Sequence, residues 1–134
     1  MREPRLGVGA CIVNEGRLLL FRRLREPDAG CWSIPGGKVD FLEPIEEGLR
    51  REVAEETGLV LGDLRLLCVT DQIYPDVPEH WVAPTYLATS FTGEAVNREP
   101  HKHEGMDWFA LDDLPAPLSM AVKATMPALK RALG

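Results

Sequence analysis

The sequence has too little cysteine for a disulfide framework and no apolar run long enough to cross a membrane. Its three cysteines, Cys11, Cys31 and Cys68, are widely spaced and form no CxxC pair. We therefore expect small buried thiols in a reducing compartment, not disulfides or a zinc ribbon. No apolar stretch approaches the ~20 residues that span a bilayer, and the charged start does not read as a signal peptide. The sequence predicts a cytoplasmic protein that does not contact membranes.

Basic residues are also scarce. The chain of 134 residues has 15 Lys and Arg against 21 Asp and Glu, a net charge of −6. Proteins that bind long nucleic acids through the phosphates carry the opposite excess, so duplex nucleic acid is not an expected partner. An anionic substrate would need another means of attraction, such as a metal ion. The content of 45% hydrophobic and 27% charged residues is typical of a globular chain, and the length predicts one domain over residues 1–134.

Strand and turn signals are followed by helical periodicity, twice along the chain. Strands are predicted at 6–13, 17–21, 64–70, 81–91 and 106–110, and helices at 44–57 and 120–133. The turn Asn14-Glu15-Gly16 joins the first two strands as a hairpin, and Gly58 supplies a stop for the first helix. The order predicts a single α+β or sandwich-like domain.

The first helix carries three carboxylates on one arc of about 100°, namely Glu52, Glu55 and Glu56. Its apolar stripe consists of Ile45, Leu49 and Val53. Glu56 falls inside this stripe, where an unpaired carboxylate is costly to bury, and three crowded anions repel one another. The helix therefore needs compensation from cationic side chains or from a bound divalent metal ion.

Two interpretations of this arc stay open from the residues alone. A solvated acidic face with i,i+4 ion pairs is the ordinary one, and Arg51 lies where it can pair with part of the cluster. A site for Mg²⁺ or Mn²⁺ is the other, because these ions prefer hard oxygen ligands. The apolar surroundings of Glu56, and the room left by Gly48 beside Glu52 and Glu55, favour the metal site.

Residues 37–59 read GKVDFLEPIEEGLRREVAEETGL. This segment resembles the Nudix box, GX5EX7REUXEEXGU with U aliphatic, and all nine fixed positions match. A looser resemblance covers nearly the whole chain, including Trp108-Phe109 near its end. The resemblance implies a Nudix fold, an α+β protein with a mixed sheet between helices in an α/β/α sandwich. It also implies an enzyme that hydrolyses a nucleoside diphosphate linked to another moiety, with a divalent metal ion as cofactor.

The resemblance also implies roles for individual residues. The metal ligands would be the Gly37 carbonyl and the carboxylates of Glu52, Glu55 and Glu56. Arg51 would orient these glutamates, and Glu43 would act from behind the ligands, where it fixes their geometry.

The general base in this family often lies outside the box. Glu104, which precedes Trp108, is our candidate, and Glu94 and Glu99 are weaker ones. Glu55 or Glu56 would serve if no outer carboxylate is suitable.

Substrate contacts are less well defined. Arg22 and Arg23, at the end of the second predicted strand, would either bind phosphates or lie on the surface. The aromatic side chains that either stack on a base or belong to the core are Phe21, Trp32, Tyr74 and Trp108. His101-Lys102-His103 is predicted to lie in a mobile loop with solvated histidines, in preference to a zinc site.

The short chain favours a MutT-like housecleaning enzyme that converts a (d)NTP to the (d)NMP and pyrophosphate. The alternatives are a pyrophosphatase of ADP-ribose or another nucleoside-diphosphate sugar, and a non-catalytic nucleotide-binding module of the same fold. Such modules often lose box glutamates, which are all present here. Isoprenoid diphosphate isomerisation and RNA decapping are disfavoured. The small nucleotide is the expected partner, and a homodimer is an open expectation because related proteins commonly form dimers.

Overall fold

Nine strands and two helices make up the part of the chain that this computed structural model describes, residues 2–134. In chain order they are β1 (Arg5–Asn14), β2 (Arg17–Arg23), β3 (Trp32–Ser33), β4 (Gly36–Lys38), α1 (Ile45–Thr57), β5 (Val60–Leu61), β6 (Arg65–Tyr74), β7 (Glu79–Ala88), β8 (Phe91–Thr92), β9 (His103–Ala110) and α2 (Met120–Leu133). The predicted α+β class is confirmed.

The main sheet has seven strands and is mixed. Five follow the order β3-β2-β1-β7-β6, while β4 also pairs with β1 and β9 with β2. The β1–β7 pair is parallel, whereas the other pairs are antiparallel. The predicted β1–β2 hairpin is present, with Glu15 and Gly16 at φ 51° and 75°, as a two-residue turn requires. A separate two-stranded ribbon joins β5 and β8.

Alternate residues of β1 point into two different cores. Val8, Ala10 and Ile12 pack in the core that contains α1, while Cys11 and Val13 pack in the core that contains α2. This alternation is the period of two of a strand covered on both faces. The sheet is therefore enclosed by helices, and the predicted α/β/α sandwich is confirmed.

Helix α1 has the boundaries that its sequence signals predict, to within one residue. Pro44, predicted inside the first turn, is the N-cap, and Gly58 ends the helix in the left-handed conformation at φ 79° with its N–H donated to the Ala54 carbonyl. Leu49 and Val53 are fully buried. Since Glu56 lies on the same stripe, its carboxylate is buried at the edge of the core, as the helical period predicts.

The largest differences from the prediction concern strand length. β6 continues to Tyr74, and β9 begins at His103, inside the segment predicted as a loop. His103 is consequently buried, so the expectation of a solvated side chain is wrong for it. His101 is exposed, as predicted. The short strands β3, β4 and β5 were not predicted, because two or three residues carry no periodicity. The strand predicted over 81–91 ends at Ala88 as β7, and Phe91 belongs to the separate short strand β8.

Neither helix in residues 2–134 has the length and apolar composition needed to cross a bilayer. The three cysteines are free thiols.

Candidate active site

Glu56 is the most deeply placed carboxylate of α1. Its exposure is 4%, and Oε1 accepts a hydrogen bond from the Gly36 N–H at 2.8 Å. Oε2 lies 3.4 Å from Nε2 of His103. Burial raises the pKa of Glu56 well above its usual range, and the charges of Glu52 and Glu99 add to the effect while the Gly36 N–H opposes it. An ionised Glu56 therefore needs a nearby positive charge.

Arg51 holds the other carboxylates of the box. Its guanidinium forms a bidentate pair with Glu43 at 2.7 and 3.0 Å, donates to Glu52 at 3.1 Å, and lies 3.4 Å from Glu55. The hydrogen bond from Arg51 holds the pKa of Glu43 at about 2. No contact between Arg51 and Glu56 is found among the described residues. The Arg51 cation therefore compensates the negative charge of only part of the cluster, as the sequence predicts.

Two glycines make room for these carboxylates. A Cβ on Gly37 would come within 2.5 Å of the Glu52 carboxylate, and one on Gly48 within 2.8 Å of Glu43 Oε1. The room that Gly48 leaves is thus taken by Glu43, and the expectation that it opens beside Glu52 and Glu55 is wrong. Gly37 thus brings the β4 backbone against the Glu52 carboxylate.

The donor set fits a hard divalent cation. Its members are the carboxylate oxygens on one helical arc, which are ligands of the kind that Mg²⁺ and Mn²⁺ accept. Glu55 keeps 52% of its side chain exposed. Burial raises the pKa of Glu52, although Arg51 opposes the shift. A cation at this arc would offset the cost of burying Glu56, which Arg51 does not reach.

Two residues outside the box complete the surroundings of Glu56. Ligand atoms of Glu56, Glu99 and His103 all lie within 4.8 Å of one another. The His103 ring stacks on Phe21 with centroids 3.7 Å apart, and burial lowers its pKa to about 4, so the imidazole is neutral at pH 7. Sequence reasoning ranked Glu99 low and took His103 as solvated. The β2–β9 pairing sets His103 opposite Arg23, and the loop before β9 is held to the end of α1 by the hydrogen bond from Arg98 N–H to the Glu56 carbonyl. These long-range contacts place His103 and Glu99 here.

A cavity of about 270 Å³ adjoins this cluster. Its lining includes Phe21, Arg23, Gly36, Gly37, Glu56, Tyr74 and Trp81. Arg23 donates from Nε to the Pro27 carbonyl at 2.7 Å, and the Tyr74 hydroxyl donates to Asp28 at 2.8 Å. The structure thus brings three of the predicted candidates for substrate contact, Arg23, Tyr74 and Phe21, to the cavity beside the box.

Trp81 is a cavity-lining residue that sequence reasoning missed. Its Nε1–H donates to Glu79 at 3.0 Å, and the guanidinium of Arg5 lies 5.5 Å from its ring centroid. These two contacts fix the indole beside Gly7, whose hydrogen side chain leaves room for the ring. The segment 81–91 was predicted as a strand, but the face on which Trp81 lies depends on its pairing with β1 and β6.

The other predicted contacts lie elsewhere. Arg22 forms a surface ion pair with Glu104 at 3.4 Å, and both side chains are about half exposed. Trp32 packs edge-on against Phe109 at 5.0 Å, and Trp108 packs against the core that contains α1. None of these four is among the described residues that line the cavity, so their placement does not support direct roles in binding or proton transfer.

Glu43→Gln should lower stability at neutral pH and have less effect in acid. Its folded pKa of about 2 lies below the ordinary value of 4.5, so the stability that it contributes is present above pH 4.5 and is lost as the pH falls towards 2. Urea unfolding of both proteins between pH 7 and pH 3 measures this. Glu47→Gln, an exposed glutamate of the first turn of α1, is the matched control. An equal difference in unfolding free energy at both ends of the range would contradict the pairing with Arg51.

Comparison with known proteins agrees with this geometry. A NUDIX domain model matches residues 3–129. The crystal structure of a MutT NUDIX hydrolase from Burkholderia pseudomallei superposes with a TM-score of 0.90 at 54% identity, covering 96% of this chain and 98% of that chain.

Curated relatives are more distant. An ADP-ribose pyrophosphatase of Methanocaldococcus jannaschii is 31% identical over 84% of this chain, and an oxidized purine nucleoside triphosphate hydrolase of Mus musculus is 32% identical over 86%. The chain spans 66% of the length of the archaeal relative and 72% of that of the mouse relative. Because the domain match covers nearly the whole sequence, this chain belongs to the Nudix hydrolase family.

Proposed function

We propose that residues 1–134 act as one Nudix domain that hydrolyses the diphosphate linkage of a small nucleotide, with a (d)NTP converted to the (d)NMP and pyrophosphate. The observation that carries the proposal is the cavity of about 270 Å³. Its lining combines the buried Glu56 carboxylate with the Arg23 guanidinium and the aromatic rings of Tyr74 and Trp81. Cationic and aromatic groups beside an acidic cluster suit a ligand with both phosphates and a base.

Glu52, Glu55 and Glu56 would hold a divalent cation, with Mg²⁺ the expected ion and Mn²⁺ a substitute. When bound, such a cation compensates charge on the phosphoryl oxygens and makes water more acidic. The chain's own residues do the rest. Arg51 keeps Glu52 in place, the Gly36 N–H orients Glu56, and Arg23 offers a cation to a phosphate group.

The proton from the attacking water would go to Glu55. Both Glu55 and Glu104 are about half exposed and lie 3.4 Å from an arginine. Glu55 is preferred because it belongs to the acidic arc of α1, whereas Glu104 lies on β9 outside that arc. The oxygen of water bonds to one phosphorus, the bridging P–O bond of the anhydride breaks, and pyrophosphate leaves. A carboxylate that accepts this proton contributes about 10²- to 10⁴-fold to the rate.

The second candidate is hydrolysis of ADP-ribose to AMP and ribose phosphate. The similarity to the protein named ADP-ribose pyrophosphatase favours it, while the similarity to the mouse nucleoside triphosphate hydrolase favours the first. A binding module without catalysis is disfavoured, because every glutamate of the box is present and Arg51 is in contact with three of them.

A nucleotide panel with Mg²⁺ should yield pyrophosphate from a nucleoside triphosphate. The reason is that Glu56 of the box lines the cavity together with Arg23 and the rings of Tyr74 and Trp81. Product identity is measured by anion-exchange chromatography for the (d)NTPs, their oxidised purine forms and ADP-ribose.

The two candidates separate by product. AMP and ribose phosphate from ADP-ribose, with no turnover of any triphosphate, would replace the first candidate by the second. In the same assay Glu55→Gln should lower kcat about 100-fold. A comparable loss in Glu104→Gln, without one in Glu55→Gln, would return the role of base to Glu104.

A further inference from the structure

His103 is a buried histidine that the proposed hydrolysis does not use. Its exposure is 5%, and Nδ1 is buried without a hydrogen-bond partner among the described residues. The ring is nevertheless held firmly, by stacking on Phe21 at 3.7 Å and by the β2–β9 ladder, in which His103 pairs with Arg23. The ring is thus held in a fixed position although its buried nitrogens have almost no hydrogen-bond partners, and this requires a physical reason.

The other ring nitrogen is directed at a carboxylate. Nε2 lies 3.4 Å from Glu56 Oε2, which is longer than the 2.7–3.2 Å of an N–H···O hydrogen bond. Two ligand atoms at about 2.1 Å from one ion and at right angles to each other lie roughly 3 Å apart. The separation is thus close to that of two ligands of one cation. Glu99 supplies a third ligand atom, within 4.8 Å of the other two.

We propose that His103 Nε2, Glu56 and Glu99 form a mixed nitrogen and oxygen site for a divalent first-row transition-metal ion. Imidazole favours such ions over Mg²⁺, which prefers oxygen ligands alone, so this side of the cluster selects Mn²⁺ and later ions over Mg²⁺. The inference rests on the proposed function only in sharing Glu56 with the box. It does not depend on which nucleotide is hydrolysed.

The arrangement is preorganised on the protein side. Glu56 is oriented by the Gly36 N–H, and Glu99 by an ion pair with Lys102 at 3.3 Å. His101 is the competing ligand, because it lies on an open surface shared with Glu55 and Glu99. A test must therefore distinguish the two histidines.

Pulsed electron paramagnetic resonance of Mn²⁺ alone, added to the full chain without nucleotide, tests the site. Directly bound imidazole gives a nitrogen modulation of the electron spin echo, and labelling with ¹⁵N-histidine shifts that modulation. The chain has three histidines, so His80→Gln/His101→Gln leaves His103 as the last one. We expect the histidine modulation in the wild type and its retention in this double variant.

Two results would overturn the proposal. One is no histidine nitrogen coupling in the wild type, and the other is loss of the coupling in the double variant, which would assign it to His80 or His101. His103→Phe, which keeps an aromatic ring on Phe21, gives a second readout. Its Mn²⁺ affinity should fall about tenfold or more, with a smaller change for Mg²⁺, and an unchanged ratio of the two affinities would contradict the proposal. Failure of nucleotide hydrolysis with Mg²⁺ would leave these binding results unaffected, so the two proposals can fail separately.

Discussion

Glu56→Gln should hydrolyse nucleotide at least about 100-fold more slowly than the wild type and unfold at no lower temperature. Removing groups that only support metal ligands costs about 10- to 100-fold, and Glu56 is proposed as a ligand itself. Stability should be preserved because the amide oxygen can keep the Gly36 hydrogen bond and no charge has to be buried. The measurements are kcat/KM at saturating Mg²⁺ and thermal unfolding without added metal.

Glu47→Gln is the matched control for this variant. It removes a glutamate of the same helix from an exposed position and should keep both hydrolysis and unfolding temperature. Undiminished hydrolysis in Glu56→Gln would reject the metal-site interpretation of α1. A clear fall in its unfolding temperature would mean that the ionised carboxylate stabilises the fold through a contact other than those described.

Gly36→Ala should destabilise the protein by about 3 kcal/mol or more. A Cβ at this position would collide with the Val8 carbonyl oxygen and lie 2.8 Å from Gly9 Cα, both of which are backbone atoms that cannot rotate away. The β1–β4 pairing would therefore open, and with it the N–H that orients Glu56. Chemical denaturation gives the unfolding free energy, and the variant should also lose hydrolysis.

Gly16→Ala is the control for Gly36→Ala, because it introduces backbone strain without a steric collision of the added Cβ. Gly16 has a positive φ of 75° in the β1–β2 turn, but nothing lies within 4 Å of its added Cβ. Left-handed strain alone should cost about 1 kcal/mol. Equal losses in the two variants would show that the close approach of β4 to β1 contributes nothing.

The part of the site on α1 was predictable because helix geometry is local. Once residues 45–57 form a helix, the 3.6-residue period places Glu56 among Leu49 and Val53 and sets Arg51 beside Glu52 and Glu55. The burial of Glu56 and the partial reach of Arg51 follow from that period alone. The contact between Gly48 and the Glu43 side chain did not follow from it. Glu43 belongs to the loop before the helix, and a loop has no regular period from which its path could be predicted.

The cavity and its lining could not be derived in this way. Trp81 and Arg23 come from strands that are far apart in sequence, and only the sheet order brings them to one cavity. Likewise, the start of β9 at His103 depends on pairing with β2, and a polar segment shows no alternation that would extend the strand. Glu104 appeared the better candidate because its position relative to Trp108 is visible in sequence, whereas its outward direction is not.

The sequence by itself determined the family, through the fixed spacing of the box, and the acidic arc of α1, through the helical period. The sandwich of helices about a mixed sheet was implied by the family resemblance and not by the pattern of the residues. The tertiary structure decided which residues join that arc. It brought Glu99 and His103 to Glu56, placed Trp81 in the cavity, and left Arg22, Trp32, Glu104 and Trp108 outside it. The reason is that strand register and sheet order set the direction of a side chain across the fold, and these arise from pairing between distant segments.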